Sequence, residues 1–259
     1  MTWEKTRFPA PGAAQFEADG LRWLSGAPGG ARAAQVVDVS PGRLTLELIR
    51  STAPDSHSAR AFGAALARTH AAGAEYFGYI PGHTPGYMGQ APLPPEPSPA
   101  ERLGWGEFYA THRVLPFLHT AVDQHRIGPA GARTIERVTQ RLIDGELDHD
   151  QPAAVDGVAR LHGDLWNGNV LWDADAGGEA VLIDPTAHGG HAETDLAMLH
   201  LFGQQHLADI LRGYQDVSPL AAGWQDRIDL HQLNPLLVHT VLFGGSYADA
   251  AVAAARPYA

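Results

Sequence analysis

The sequence predicts an α+β protein in two parts, a small mixed part over residues 1–50 and a mainly helical part over residues 51–259. In the first part, Val36–Val39 and Leu44–Ile49 flank a Ser-Pro-Gly turn, which is typical of a β-hairpin. In the second part, apolar residues recur at helical spacing through most segments. We expect a ligand-binding cleft between the two parts, because clefts between lobes are common binding sites.

The elements follow in chain order from the same patterns. Residues 13–25 predict a helix with Phe16, Leu21 and Leu24 on one face, and the Gly-rich segment from Gly26 ends it. After the hairpin, the second part has predicted helices over 58–72, 105–124, 129–144, 193–202, 206–215 and 224–246, and a predicted strand over 155–161.

Residues 78–104 are rich in Gly and Pro and predict a long irregular segment. Such a segment is usually either a functional loop or a linker. The helix predicted after it carries Trp105, Tyr109 and Arg113 on one face. Core packing explains these aromatic residues more often than a sugar-binding platform does, although Trp105 remains a candidate substrate contact.

Charge and composition exclude several classes of function. The 18 basic residues against 29 acidic residues give a net charge of −11, which disfavours nucleic acids and anionic membrane surfaces as partners. The absence of cysteine excludes disulfides, zinc–thiolate sites and thiol catalysis. The sequence has no signal-peptide pattern and no stretch of about 20 apolar residues, so we expect a soluble cytoplasmic protein.

The segment His162–Asn169 has the spacing of a kinase catalytic loop, H-R-D-x-x-x-x-N, with glycine in place of arginine. Phosphoryl transfer needs an acceptor for the proton of the attacking hydroxyl and a neutral oxygen ligand for Mg²⁺. Asp164 suits the first role and Asn169 the second.

A predicted hairpin brings a second oxygen ligand close to Asn169. Val170–Trp172 and Ala180–Ile183 flank a turn-rich segment, and a symmetric turn would pair residue 170 with 183 and Asn169 with Asp184. Mg²⁺ prefers oxygen ligands and takes phosphate oxygens at its remaining positions. Asn169 and Asp184 are therefore the candidate metal ligands.

Lys5 is the only lysine beside 17 arginines. In a kinase-like site, a strand lysine holds the α- and β-phosphates and pairs with a glutamate on the next helix. Thr2–Thr6 can form that strand, and Glu17 is the candidate partner, with Asp19 as a competitor. The backbone of the hairpin strand ending in Leu46, Glu47 and Leu48 would then contact the adenine edge.

The segment from His188 to Asp195 places four ionisable residues just after Asp184, namely His188, His191, Glu193 and Asp195. One interpretation is a hydrolase-type metal site built from Asp164, Asp184, His188 and His191. The other is that Asp195 caps a helix and structures the loop, which we favour. His191 then remains open as a substrate contact.

The motifs together resemble the fructosamine (ketosamine) kinase family, within the aminoglycoside phosphotransferase and choline kinase group. The similar segments are His162–Asn169, the run from Ile183 to Met198, Glu17–Leu21, Phe62–His70 and Trp105–Pro116. They cover nearly the whole chain. The Asp-Leu-Trp of the catalytic loop is the most specific of them.

The resemblance implies a protein-kinase-like two-lobe fold with a truncated small N-lobe and a mainly helical C-lobe. Family members usually have a loop ahead of this lysine that covers the ATP phosphates, whereas Lys5 is close to the first residue. We expect that the true start lies upstream, that this is a short version with a more open nucleotide site, or that turnover is lost. The implied roles are Asp164 as base, Asn169 and Asp184 as Mg²⁺ ligands, Lys5 with Glu17 as ion pair, and Trp166 against the sugar.

The implied reaction is ATP-dependent phosphorylation of a sugar hydroxyl on a ketosamine, a fructosamine or ribulosamine, which promotes deglycation. The partner is then a small glycated amine, and the sequence gives no indication of oligomeric state. Three alternatives stay open: a weak or inactive nucleotide- or sugar-binding protein, the phosphohydrolase described above, and a kinase for an aminoglycoside or another amino-sugar.

Overall fold

The computed structural model describes residues 1–259. The helices are α1 Ala13–Ser25, α2 Ser56–Ala71, α3 Trp105–Tyr109, α4 Leu115–Asp123, α5 Pro129–Ile143, α6 Ala192–Leu201, α7 Leu207–Val217, α8 Ile228–Phe243 and α9 Ser246–Ala255. The strands are β1 Thr2–Lys5, β2 Arg32–Ala33, β3 Val36–Ser40, β4 Arg43–Glu47, β5 Tyr87–Met88, β6 Ala91–Pro92, β7 Ala159–Leu161, β8 Val170–Asp173, β9 Glu179–Leu182 and β10 His188–Gly190.

The first strands form an antiparallel sheet in the order β1-β4-β3. Its hairpin β3-β4 and its helix α1 agree with the sequence prediction. Lys5 lies opposite Leu44 at the end of β1. The apolar face of α1, including Phe16, Leu21 and Leu24, is buried, so this helix is fixed beside the strand that carries the lysine.

A second sheet joins distant parts of the chain. The short strand β2 pairs in parallel with β9, which also forms the antiparallel hairpin with β8. Arg32 on β2 reinforces this junction, because its guanidinium lies 2.7 Å from Glu47 and 2.8 Å from Asp173. The sheet therefore joins the first 50 residues to the β8-β9 hairpin, which follows the segment His162–Asn169.

The buried apolar residues form two main cores. One core of 25 residues lies mainly among α3, α4, α5, α8 and α9. The other core, of 24 residues, joins α1 and the first sheet to α2, the β8-β9 hairpin, α6 and α7. This second core continues across residue 50, and the division into lobes at that residue stays a prediction.

Helices α2 and α7 cross in close contact through two glycines. A Cβ at Gly63 would lie 1.9 Å from the backbone oxygen of Ile210, and a Cβ at Gly213 would lie 1.9 Å from that of Arg60. Any side chain at either position would collide with backbone. The two helices approach this closely only because both residues are glycine.

Some predicted boundaries are wrong. The helix predicted over 105–124 contains a π-helical turn at Ala110–Val114, and the helix predicted over 224–246 is interrupted at Gly244 and Gly245, whose φ angles are +68° and +64°. The strand predicted over 155–161 is ordered as a strand only at β7. None of the helices combines the length and apolar character that crossing a membrane would require.

Candidate active site

Lys5 makes two ion pairs at the centre of the cleft. Its Nζ lies 2.7 Å from Glu17 Oε2 and 2.9 Å from Asp184 Oδ1. Burial alone would lower the pKa of Lys5, but the two carboxylates reverse this effect and raise it. The competitor Asp19 bonds to Gln15 and Arg22 instead. Lys5 is therefore a fixed positive charge, held between helix α1 and the segment after β9.

The hairpin register differs from the predicted one by one residue. Val170 pairs with Leu182, not with Ile183, and the Ile183 amide donates to the Asn169 carbonyl at 3.1 Å. The cause is the turn: Asp173 accepts a bond from the Asp175 amide, and a short 3-10 turn then closes the hairpin at Gly178. The predicted pairing of Asn169 with Asp184 is wrong.

Asp184 reaches Lys5 through an unusual backbone conformation. Its φ angle is +52°, in the left-handed region that non-glycine residues rarely adopt. Such strain commonly occurs at functional positions. The side chain is 39% exposed and lines a cavity together with Asp164 and Asn169, so the three predicted residues converge although the register differs.

Asn169 is bonded directly to Asp164. Its side-chain nitrogen donates to the Asp164 carbonyl at 2.8 Å and to the carboxylate Oδ2 at 3.1 Å. Burial raises the pKa of the Asp164 carboxyl to about 7, although the bond from Asn169 opposes this shift. This amide orientation leaves the side-chain oxygen of Asn169 available as a ligand for a cation.

Gly163 explains why this loop has glycine where protein kinases have arginine. Its φ angle is +82°, and a Cβ there would lie 2.1 Å from the Thr186 carbonyl oxygen. The loop therefore passes too close to the following segment for any side chain at this position.

Buried Asp195 holds the backbone of the catalytic loop. It accepts bonds from the His162 amide at 2.7 Å, the Gly163 amide at 2.9 Å and His70 Nε2 at 3.2 Å. The predicted helix cap is wrong, because His191 caps α6 by accepting from the Glu193 amide. The predicted structuring of the loop by Asp195 is present. No local sequence pattern identified His70 as its partner.

The cavity beside these residues measures about 240 Å³. Trp166, whose residue surface is 37% exposed, lines it beside Asp164. Tyr87, Gly89 and Gln90 close another side, so the Gly- and Pro-rich segment contributes to the site. The sequence pattern identified this segment as either a functional loop or a linker, but it gave no reason to select these residues.

A second, apolar pocket of about 260 Å³ adjoins this cavity at Asp184. It is lined by Trp3, Ala34, Leu46, Glu47, Leu48, Ile49, Leu171 and Ile183. The Leu48 amide already donates to the Met1 carbonyl at 3.1 Å, and the Glu47 side chain accepts from Arg32 and from the Gln35 amide. The Leu48 N–H is therefore not free for a nucleotide base.

Trp105 and His191 lie elsewhere. Neither lines the cavity beside Asp164; both are buried in a cluster of histidines behind it, where the ring centroids of Trp105 and His191 are 5.4 Å apart. His188 bonds to the Thr186 carbonyl at 2.8 Å, apart from that cluster. The hydrolase-type site from Asp164, Asp184, His188 and His191 is not assembled.

The sequence comparisons agree with these features. A family model described as "Fructosamine kinase" matches residues 15–257. The chain is 36% identical over 146 residues to a protein named as a probable ketoamine kinase from Lactiplantibacillus plantarum. That match covers 56% of this chain and 49% of the relative, so the chain spans about half the length of this relative.

Solved structures show the same architecture. A crystal structure of a "putative fructosamine-3-kinase" from Thermobifida fusca is 44% identical, with a TM-score of 0.83 and coverage of 95% of this chain and 79% of that chain. The choline kinase LicA from Streptococcus pneumoniae, also solved with AMP, is 16% identical, with a TM-score of 0.55 and coverage of 95% and 81%. These neighbours show a protein-kinase-like fold.

Proposed function

Because this chain belongs to the fructosamine kinase family, we propose that it transfers the γ-phosphoryl group of ATP to a sugar hydroxyl of a ketosamine. One observation carries the proposal: Lys5, Glu17 and Asp184 form a connected ion-pair group on the cavity that Asp164 and Asn169 also line. A kinase of this type needs a phosphate-binding lysine, a proton acceptor and oxygen ligands for a cation in one place.

Asp164 is the proposed proton acceptor. Its carboxylate lines the cavity, where a substrate hydroxyl can reach it, and the bond from Asn169 fixes its orientation. The hydroxyl oxygen forms the new bond to phosphorus, its proton passes to Asp164, and ADP is the leaving group. Asp195 is a positioning residue, since it acts only through the loop backbone.

The donor set fits Mg²⁺ and the ATP phosphates. The Asp184 carboxylate and the free amide oxygen of Asn169 are hard oxygen ligands beside the cavity, and they would hold the cation. Lys5 would bind phosphate oxygens and is kept in place by Glu17. When bound, Mg²⁺ neutralises charge that develops on the transferred group.

The two pockets suit the two substrates, ATP and the ketosamine. The apolar pocket beside Asp184 would take the adenine ring, with Leu171 and Ile183 against its faces. Trp166 would lie against the sugar of the ketosamine, because its ring borders the cavity at Asp164. A fructosamine or ribulosamine would then present a hydroxyl to the carboxylate, and its phosphorylated product would favour release of the amine.

The test is coupled ADP release with ribulose-lysine and fructose-lysine in the presence of Mg²⁺. We expect turnover with at least one of the two, and its loss in Asp164→Asn. Choline and an aminoglycoside serve as comparison substrates. Turnover with an aminoglycoside and none with either ketosamine would reject the proposed substrate class while keeping the kinase reaction.

A further inference from the structure

Four side chains of the types that commonly bind metal ions meet in the helical part, away from the cavity that Asp164 lines. His149, His191, Glu193 and His231 each direct one ligand atom into a common space, and these atoms all lie within 4.8 Å of one another. Trp105 packs against three of the rings, with centroid distances of 4.5 Å to His149 and 4.8 Å to His231. The proposed kinase reaction uses none of the four.

Three of the ligand atoms form a triangle of the right size for a transition metal. His149 Nε2 lies 3.0 Å from His231 Nε2, and each of these nitrogens lies 3.5 Å from Glu193 Oε2. A tetrahedral Zn²⁺ ion has bonds of about 2.0–2.1 Å to nitrogen and oxygen, which places its ligands roughly 3.3–3.4 Å apart. The three atoms need only small shifts to reach that geometry.

The outer contacts are those that metal ligands need. His149 Nδ1 bonds to the Leu147 carbonyl at 2.9 Å, so its Nε2 carries the lone pair that faces the cluster. His231 Nδ1 contacts Thr194 Oγ1 at 2.9 Å. Arg227 donates to both Glu193 oxygens, from Nη2 to Oε1 at 2.6 Å and from Nε to Oε2 at 2.9 Å, and so fixes the carboxylate that faces the two histidines. Each ligand is thereby oriented from behind.

His191 supplies a second, independent observation. Its Nδ1 accepts from the Glu193 amide at 3.2 Å, which assigns the ring proton to Nε2. That Nε2 is buried, since the residue is only 1% exposed, and it has no hydrogen-bond partner. An unpartnered polar atom inside a protein requires an explanation, and an ion with a bound water beside it would provide one.

We propose that this cluster binds one divalent cation of the zinc class through His149, Glu193 and His231. His191 faces the fourth position, where its Nε2–H would donate to a metal-bound water. Imidazole ligands select zinc-class ions, whereas Mg²⁺ requires octahedral oxygen ligands, so Mg²⁺ would not compete. The ion would join the segment before β7 to α6 and α8, and α6 also carries Asp195.

The first experiment measures metal directly and needs no kinase turnover. Chelator-treated protein receives one equivalent of Zn²⁺ in the presence of excess Mg²⁺, is freed of unbound metal and is analysed for metal content. We expect about one zinc per chain. Cobalt(II) in place of zinc should give the intense visible absorption of tetrahedral cobalt. No retained zinc and no tetrahedral cobalt spectrum would overturn the proposal.

The second experiment places the ion at this cluster. His149→Gln removes a ligand at the edge of the fold, and Thr194→Val removes the contact behind His231 with little change in shape. We expect the first to abolish stoichiometric binding and the second to weaken affinity roughly 10- to 100-fold. Exposed His119 provides the control His119→Gln, which should bind as wild type does. Unchanged zinc affinity in His149→Gln would overturn the proposal.

Discussion

Asp164 sets the expected pH dependence at the residue scale. Burial raises the pKa of its carboxyl to about 7, and only the ionised form can accept the substrate proton. We therefore expect kcat/KM to rise about tenfold per pH unit below about pH 7 and to level off above it. The measurement is kcat/KM by coupled assay across that range. A profile that is already flat between about pH 5 and 7 would contradict this role for Asp164.

Lys5 gives the second residue-scale prediction. Lys5→Met removes the charge proposed to bind phosphate and leaves Glu17 and Asp184 facing each other without it. We expect kcat/KM for ATP to fall by about 100-fold, a loss typical of removing one charge-stabilising donor. The control is Arg43→Met, because Arg43 pairs with Glu4 on the exposed face of the same sheet. Equal losses in both variants would indicate general damage to the sheet.

The residues that the sequence proposed for the site were easier to predict than the contacts that hold them in place. Lys5, Glu17, Asp164, Asn169 and Asp184 follow from residue type and spacing, and the structure brings them together. The contact of Gly163 with the Thr186 carbonyl arises from two segments that meet only in the folded chain. No periodicity or local motif encodes such a contact.

At the scale of elements, the link between α6 and the catalytic loop is testable through Asp195. Burial opposes ionisation of Asp195, but its bonds from His70 and the loop amides lower the pKa of the carboxyl. Asp195→Asn keeps one acceptor oxygen, so at least one of the two buried loop amides then faces a side-chain N–H₂ group. We expect a loss of about 3 kcal/mol in the free energy of unfolding at pH 7, measured by urea denaturation.

The sign of the pH effect follows from that lowered pKa. The contribution of Asp195 is complete above its ordinary value of 3.8 and declines as pH falls below it toward the folded-state pKa. The destabilisation of Asp195→Asn should therefore shrink in strongly acidic buffer. Asp216→Asn, at an exposed pair with Arg60, is the control and should change stability by no more than about 0.5 kcal/mol.

Where α2 and α7 cross, we expect replacement of glycine by alanine to destabilise the protein, which is the opposite of what helix propensity predicts. Alanine stabilises a helix by about 1 kcal/mol over glycine in isolation. At Gly63 or Gly213, however, the added Cβ would lie 1.9 Å from backbone oxygen, so we expect each change to alanine to cost about 3 kcal/mol or more. Thermal and urea unfolding measure this.

Gly12→Ala is the matched control, since nothing lies within 4 Å of a Cβ there. Its stability should change by less than about 1 kcal/mol. Similar effects at all three glycines would mean that close packing of α2 and α7 is not what requires them.

The hairpin β8-β9 shows why element boundaries were predicted less well than elements. A symmetric turn was the simplest interpretation of a segment rich in Asp and Gly. The side chain of Asp173 instead starts a short 3-10 turn, which moves the register by one residue. A one-residue change reverses which side chains share a face. The Asp184 carboxylate nevertheless contacts Lys5, and the backbone of Asp184 has a left-handed φ angle.

At the scale of the whole molecule, residues 1–50 and the helical part share a sheet and a core. Strand β2 has only two residues, yet it places the front of the chain beside β9, far along the sequence. So short a strand has no periodic signal of its own, and its partner cannot be predicted from local pattern. The motif-based resemblance predicted the fold class because it covers both parts at once.

We propose that the protein transfers a phosphoryl group from ATP to a ketosamine in the one cavity lined by Asp164, Asn169 and Asp184. The most direct measurement is ³¹P NMR or mass analysis of the sugar product, together with ADP, for wild type and Asp164→Asn. We expect one phosphorylated ketosamine for each ADP with wild type, and neither product with the variant. ADP without phosphorylated sugar, or equal product from the variant, would contradict this proposal.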